Sequence, residues 1–110
     1  ELPGRDCSVL LAALEADVPV TVHAAIGAEI IHQHPAADGA AIGATSMTDF
    51  RRLAAHLSRL DGGVVLNIGS AVIMPEVFLK ALTICRNIHN GTPRTFTSST
   101  FAPMPRAYRP

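Results

Sequence analysis

The sequence has no tryptophan, one tyrosine and four phenylalanines, so aromatic residues make up only 5% of its 110 positions. Charged residues make up 16%, and nine basic residues balance nine acidic ones to a formal net charge of zero. A neutral chain has no electrostatic attraction to nucleic acid or to an anionic membrane surface. We therefore expect small-molecule or protein partners, with no nucleic acid and no membrane.

Cysteine is also scarce: Cys7 and Cys85 are the two in the chain, and neither has zinc-finger spacing. We interpret both as reduced core residues of a cytoplasmic protein. No apolar run reaches the roughly 20 residues that a membrane span needs, and no signal peptide is evident. The chain begins with Glu1 and ends in a proline-rich run, so we expect a piece of a longer polypeptide.

Apolar residues, at 48%, are plentiful enough for a core, and their spacing predicts alternating helices and strands. The predicted helices cover residues 6–16, 26–34, 46–60 and 75–88, and the predicted strands cover 18–23, 64–68 and 95–100. Residues 35–45 are interpreted as a loop. The pattern predicts a single partial α/β domain over residues 1–110, with an irregular tail at 101–110. Its expected fold is an incomplete three-layer, Rossmann-like parallel sheet of about three strands with flanking helices.

The strand at 64–68 leads through a turn into the last helix, and Asn67, Gly69 and Ser70 form this junction. Ligands of open α/β sheets bind at such strand ends, where glycine permits close approach and Asn and Ser supply hydrogen bonds. The junction lacks the GxGxxG pattern. Glu76 would repel a phosphate at the start of the helix. Its spacing from Lys80 also predicts a helical ion pair.

A second group of polar residues, His23, Glu29, His32 and His34, follows the predicted strand 18–23. Glu29 is a candidate ligand for an amine or a ribose hydroxyl, and the histidines are candidates for substrate binding. A zinc or iron site at His23, His32 and His34 is the alternative. On a helix, however, His32 and His34 would point about 200° apart. We therefore assign no metal.

Over residues 18–35, 49–51 and 62–87 the chain resembles the deoxyhypusine synthase family, in particular a bacterial deoxyhypusine synthase-like branch. The resemblance spans about Ser8 to Thr100. It implies a Rossmann-like, NAD-binding, oligomeric protein. Enzymes of that family transfer an aminobutyl group from spermidine to a lysine of a translation factor, and they use NAD transiently.

The resemblance also implies roles for particular residues. Glu29 falls where the family has an aspartate near the spermidine amine, and 67–70 falls at a glycine-rich turn that contacts NAD. The family's catalytic lysine segment would lie beyond Pro110, so no residue here is assigned that role. The predicted NAD-binding residues are Asn67, Gly69, Ser70, Thr97 and Ser98. The predicted substrate-binding residues are His23, Glu29, His32 and Glu76.

Three hypotheses follow. The first is a deoxyhypusine synthase-like, NAD- and polyamine-binding transferase that forms homo-oligomers. The second is a non-catalytic oligomerisation module, in which apolar helices and open sheet edges make subunit contacts. The third is a metal-dependent hydrolase that uses His23, His32 and His34.

Overall fold

Three α-helices and two β-strands form the part of the chain that the computed structural model describes, residues 3–102. In chain order they are α1 (Val9–Glu15), α2 (Gly39–His56), β1 (Val64–Ile68), α3 (Ile73–Ile88) and β2 (Thr97–Phe101). Short 3₁₀ helices lie at Arg5–Cys7, Ile30–Gln33 and Leu57–Arg59. The order of the last three elements makes a β-α-β unit.

The two strands pair in parallel, with a register that runs from Val64 opposite Thr97 to Ile68 opposite Phe101. Helix α3 connects them, as expected for a parallel crossover. The strand prediction at 64–68 is confirmed. The strand predicted over 95–100 is also found, but it starts two residues later, at Thr97, and ends at Phe101. The prediction of a three-layer, Rossmann-like sheet of about three strands is wrong, because the sheet within residues 3–102 has two strands.

The missing strand is the one predicted over residues 18–23, which do not pair with β1 or β2. Pro19 lacks an N–H to donate. The N–H of Val22 donates instead to Asp49 Oδ2 on α2, at 2.9 Å. The segment is therefore held to a helix by a side chain, which satisfies the N–H of Val22 without a neighbouring strand.

Helix α2 begins at Gly39, so the interpretation of residues 35–45 as a loop is wrong. Asp38 Oδ1 accepts hydrogen bonds from the N–H groups of Ala40, at 2.8 Å, and Ala41, at 3.2 Å. These bonds satisfy donors that the first turn of a helix leaves free. The pair Asp38–Gly39 is thus a helix start, and Ser46 lies inside α2.

The other helices also differ from the predictions at their ends. Ser8 caps α1 by accepting from the N–H of Leu11, and residues 5–7 form a separate 3₁₀ turn. The helix predicted over 26–34 is reduced to the 3₁₀ turn at Ile30–Gln33. Helix α3 starts two residues before Pro75 and ends at Ile88, as predicted.

The core lies between α2 and α3. Its buried residues are Ala54 and Leu57 on one side and Ala81, Leu82 and Cys85 on the other. Five larger side chains pack against them: Phe50, Leu53, Leu60, Phe78 and Phe96. The rings of Phe78 and Phe96 meet edge to face at 5.7 Å between centroids, which attaches the start of β2 to α3.

One face of the sheet is left uncovered. Side chains alternate along β1, so Val64, Leu66 and Ile68 share a face, and the register places Phe101 beside Ile68. Their exposed fractions are 62%, 60%, 72% and 61% respectively. The expectation that helices cover both faces of this strand is therefore wrong within residues 3–102.

None of the helices in the described range combines the length and apolar character needed to cross a bilayer. Cys85 is buried, as predicted, whereas Cys7 is exposed, and both thiols are free. Of the predicted irregular tail at 101–110, Phe101 belongs to β2, and positions 103–110 lie outside the described residues.

Candidate functional site

The turn after β1 is held together by its own polar groups. Asn67 Nδ2 donates to the carbonyl oxygen of Ser70 at 2.7 Å, and the N–H of Gly69 donates to the carbonyl of Phe101 at 2.7 Å. Gly69 has a φ of 82°, a left-handed conformation that favours glycine. These contacts join three of the predicted NAD-binding residues, Asn67, Gly69 and Ser70, in one ordered turn at the carboxyl end of the strand.

The same turn is connected to the start of α3. Ser70 Oγ accepts from the N–H of Met74 at 3.0 Å, so the hydroxyl satisfies a donor of the first helical turn. One turn further, Glu76 Oε2 accepts from Lys80 Nζ at 3.2 Å. The predicted ion pair is confirmed, and both side chains are more than 60% exposed. Such a surface pair contributes only about 0.3–0.5 kcal/mol.

Thr97 and Ser98 lie at the opposite end of the sheet from the turn. They pair with Val64 and Val65 at the start of β1, whereas Gly69 follows its last residue. At about 3.3 Å per residue, three to four strand positions separate the two groups. The structure therefore does not bring Thr97 and Ser98 together with Gly69 and Ser70.

The histidine-containing segment has its own local contacts. His23 Nε2 lies 2.9 Å from Thr21 Oγ1, and the N–H of Gly27 donates to His32 Nδ1 at 3.2 Å. A ring nitrogen that accepts carries no proton, so in neutral His32 the proton is on Nε2. That atom is buried without a hydrogen-bond partner in the described region. Glu29 precedes the 3₁₀ turn and is exposed.

The sequence also predicts that the polar residues at 23–29 and at 67–70 form the two walls of one shared crevice. In the structure the two groups are attached to different elements. Residues 18–23 are held to α2 through Asp49, and the turn at 67–70 leads into α3. No hydrogen bond among residues 3–102 joins Glu29 or His32 to Asn67 or Ser70. The shared crevice stays a prediction.

A cleft of about 760 Å³ lies between the sheet and the two long helices. Its walls are largely apolar, and the polar side chains that reach it are Asn67, Ser98 and Thr100. Apolar lining with a few convergent polar groups, at this volume, is typical of small-molecule sites. Ser98 and Thr100 lie two positions apart on β2, and the register places Thr100 beside Asn67. This alternation along a strand is the sequence signal that could have placed the three on one face.

Sequence analysis assigned no role to Asp61. Asp61 Oδ1 accepts from the N–H groups of Thr95, at 2.8 Å, and Arg94, at 2.9 Å, and from Thr95 Oγ1 at 3.1 Å. The two backbone donors, that of Thr95 first, hold the pKa of this carboxyl below its usual value. The side chain joins the loops that precede the two strands. An aspartate followed by two glycines is its only local sequence signal.

The described residues contain no group of three His, Cys, Asp or Glu side chains arranged to hold a metal ion. The geometry of residues 3–102 therefore gives no support to the hydrolase that would use His23, His32 and His34.

Comparison of the chain with protein-family models, with curated proteins and with solved structures finds no match. The resemblance to the deoxyhypusine synthase family thus stays a prediction from the sequence.

Proposed function

We propose that this chain is an assembly module that binds a second copy of itself through the open face of its sheet. The observation that carries the proposal is the row of exposed apolar side chains Val64, Leu66, Ile68 and Phe101. Large contiguous apolar patches are uncommon on monomers and mark interaction sites. A twofold contact would bring this row against itself, because a twofold interface uses the same surface on both subunits.

The small size of the core supports the same proposal. The core cluster within residues 3–102 has five buried residues, whereas the sheet face alone leaves four large apolar side chains in water. Burying such side chains contributes about 1.5–3 kcal/mol each relative to exposure. Association would therefore add stabilisation that the monomer lacks. The free thiols of Cys7 and Cys85 suit the reducing cytoplasm, where we place the assembly.

Sedimentation velocity over a range of concentrations tests this function. The wild-type chain is expected to shift from monomer to dimer, and the double variant L66T/I68T is expected to weaken the dimer by at least about tenfold. Threonine retains strand propensity, so the strand itself is kept. Val9 is 80% exposed on α1, and V9T is the matched control that should dimerise normally. A wild-type chain that stays monomeric at all concentrations contradicts the proposal.

The second candidate is a deoxyhypusine synthase-like protein that binds NAD at the turn after β1 and a polyamine at Glu29. The ordered turn of Asn67, Gly69 and Ser70 at the carboxyl end of a parallel strand favours it, since ligands of α/β sheets bind there. The exposed carboxylate of Glu29 is free of described salt bridges and is available to an ammonium group.

Calorimetric titration of the chain with NAD and, separately, with spermidine tests the second candidate. E29Q is expected to weaken spermidine binding, since it removes the charge and keeps the shape, and E15Q on α1 is its control. Absence of heat with both ligands contradicts the proposal. Equal weakening in E29Q and E15Q would instead indicate nonspecific attraction of a polycation to the surface.

A further inference from the structure

We propose that the groove between α1 and α2 binds a single-chain amphiphile with an anionic head group, such as a fatty carboxylate. The groove has a volume of about 710 Å³, within the range of about 300–1,000 Å³ typical of small-molecule sites. It is separate from the sheet face and from the turn after β1, and the proposed assembly does not require it.

One wall of the groove is apolar. It is made by Leu10, Ala13 and Leu14 of α1 and by the extended segment 18–20 that follows. Leu10 is 64% and Leu14 77% exposed, so both side chains are open to a ligand. An aliphatic chain laid along this wall would remove their surface from water, which contributes about 25 cal/mol for each Å² buried.

Two hydrogen bonds hold that wall in position. The N–H of Val18 donates to the carbonyl of Ala13 at 2.8 Å, which fixes the reversal of the chain after α1. The N–H of Val22 donates to Asp49 Oδ2 at 2.9 Å, which attaches the extended segment to α2. The apolar wall is thereby placed opposite a defined face of α2.

The opposite wall is cationic. Arg52, His56 and Arg59 follow one another at spacings of four and three residues, so they share one face of α2 and its 3₁₀ extension. Asp49 orients Arg52 through a 3.3 Å ion pair, and the Arg52 side chain is still 65% exposed. Arg59 has no salt bridge to a described carboxylate. Both guanidinium groups therefore have donors left for an anion.

His56 and Asp17 determine which end of the groove the anionic head group would occupy. His56 Nδ1 donates to the carbonyl of Arg52 at 3.0 Å, so only Nε2 is left, and it donates only when the ring is cationic. Asp17 lies in the groove at the end of α1 and repels an anion. The head group is thus directed to the two arginines and the aliphatic tail to α1.

The concave shape favours a free amphiphile over a bilayer. A membrane-binding surface of this kind would need a basic excess, whereas the chain has a net charge of zero. The ligand class that fits the groove therefore combines one anionic group with one aliphatic chain.

Titration calorimetry with decanoate, below its aggregation concentration, tests the proposal. Wild-type chain is expected to bind decanoate, and R59Q is expected to weaken this binding by about tenfold, the scale of a hydrogen bond to a charged group. R51Q is the matched control, because Arg51 is on α2 but faces a different cleft, and it changes net charge equally. Circular dichroism of both variants checks that the helices are retained.

Three outcomes would overturn the proposal: no decanoate binding by the wild-type chain, binding of decyltrimethylammonium as tight as that of decanoate, or equal weakening in R59Q and R51Q. A further arm measures binding to phosphatidylglycerol vesicles. Vesicle binding that is stronger than decanoate binding and lost in R59Q would identify a bilayer surface instead, and it would also overturn the proposal.

Discussion

Gly69 has the sharpest backbone requirement at the candidate site, and its replacement by alanine gives the first prediction. With φ at 82°, a Cβ at this position strains the backbone, although it would meet no atom within 4 Å. We expect G69A to lower the free energy of unfolding by about 1–2 kcal/mol. Urea unfolding followed by circular dichroism measures it.

Gly43 provides the control for this prediction. It lies inside α2, where an added Cβ also meets nothing within 4 Å and the φ is not positive. G43A should raise the free energy of unfolding by about 0.5–1 kcal/mol, because glycine is a poor helix former. Changes of the same sign in both variants would contradict the assigned conformations.

The second prediction at this scale concerns Asp61 and acid. Hydrogen bonds from Thr95 and Arg94 lower the pKa of Asp61 in the folded chain. A group with a lowered folded pKa stabilises the fold above its unfolded pKa, and this contribution is lost as pH falls through the folded pKa. D61N should therefore be less stable than wild type at pH 7, and the difference should shrink below about pH 4.

Urea unfolding of wild type and D61N at several pH values measures the effect. D17N is the control, since no hydrogen bond to the Asp17 carboxylate is found among the described residues and asparagine tolerates its left-handed backbone, with φ of 53°. A D61N difference that stays constant from pH 7 to pH 3 would show that the carboxylate charge is not what stabilises the loops.

Which residues could be predicted depends on how local their partners are. The pair of Glu76 and Lys80 follows from helical spacing alone, and the turn at Gly69 follows from the Gly-Ser pair after an apolar strand. Asp61 could not be assigned its role, because its partners lie 33 and 34 residues away. The same applies to Asp49, which accepts from the N–H of Val22 across 27 residues.

At the scale of elements, periodicity predicted β1 and the body of α3 because a continuous apolar strand and a helical stripe are strong local signals. Periodicity gave wrong predictions where contacts between elements determine the secondary structure. Residues 18–23 have a strand-like composition, but the N–H of Val22 donates to Asp49 on α2 and the segment joins no sheet. The beginning of α2 was missed because alanine- and glycine-rich residues after Asp38 carry no apolar stripe, although Asp38 itself is a good cap.

The cap of α2 gives the prediction for this scale. D38A should destabilise the chain by about 1 kcal/mol, because it removes the acceptor for the N–H groups of Ala40 and Ala41. S46A should be neutral or slightly stabilising, since Ser46 lies inside the helix and alanine has higher helix propensity. Denaturant unfolding compares the two. A larger loss in S46A than in D38A would place the helix start at Ser46.

At the scale of the whole molecule, the two-stranded sheet has unequal faces. The face with the half-buried Val65 and Asn67 also carries the polar side chains Ser98 and Thr100. The other face carries the exposed apolar set Val64, Leu66, Ile68 and Phe101, of which the first three also line the cleft beside the helices. A sheet that folds against its own helices normally has the reverse arrangement, with apolar side chains inward. The apolar set is therefore left exposed in the single chain, and a second molecule could bury it.

Stability should consequently depend on protein concentration, which is the last prediction. A partner that binds only the folded chain stabilises it by about 2.7 kcal/mol when its concentration is a hundred times the dissociation constant. For a chain of this size that corresponds to a rise of roughly 10–20 °C in Tm. Differential scanning calorimetry over a hundredfold concentration range should show this rise in the wild-type chain and little of it in L66T/I68T.

Two comparisons distinguish an effect on dimer formation from an effect on the folding of the single chain. V9T alters an equally exposed apolar residue on α1, so its Tm should rise with concentration as in wild type. Because Leu66 and Ile68 are exposed in the monomer, L66T/I68T should match wild type at high dilution, where no dimer forms. If the variant unfolds earlier even there, the two side chains stabilise the monomer itself. The open face would then be covered within a single chain, and self-association would not be its function.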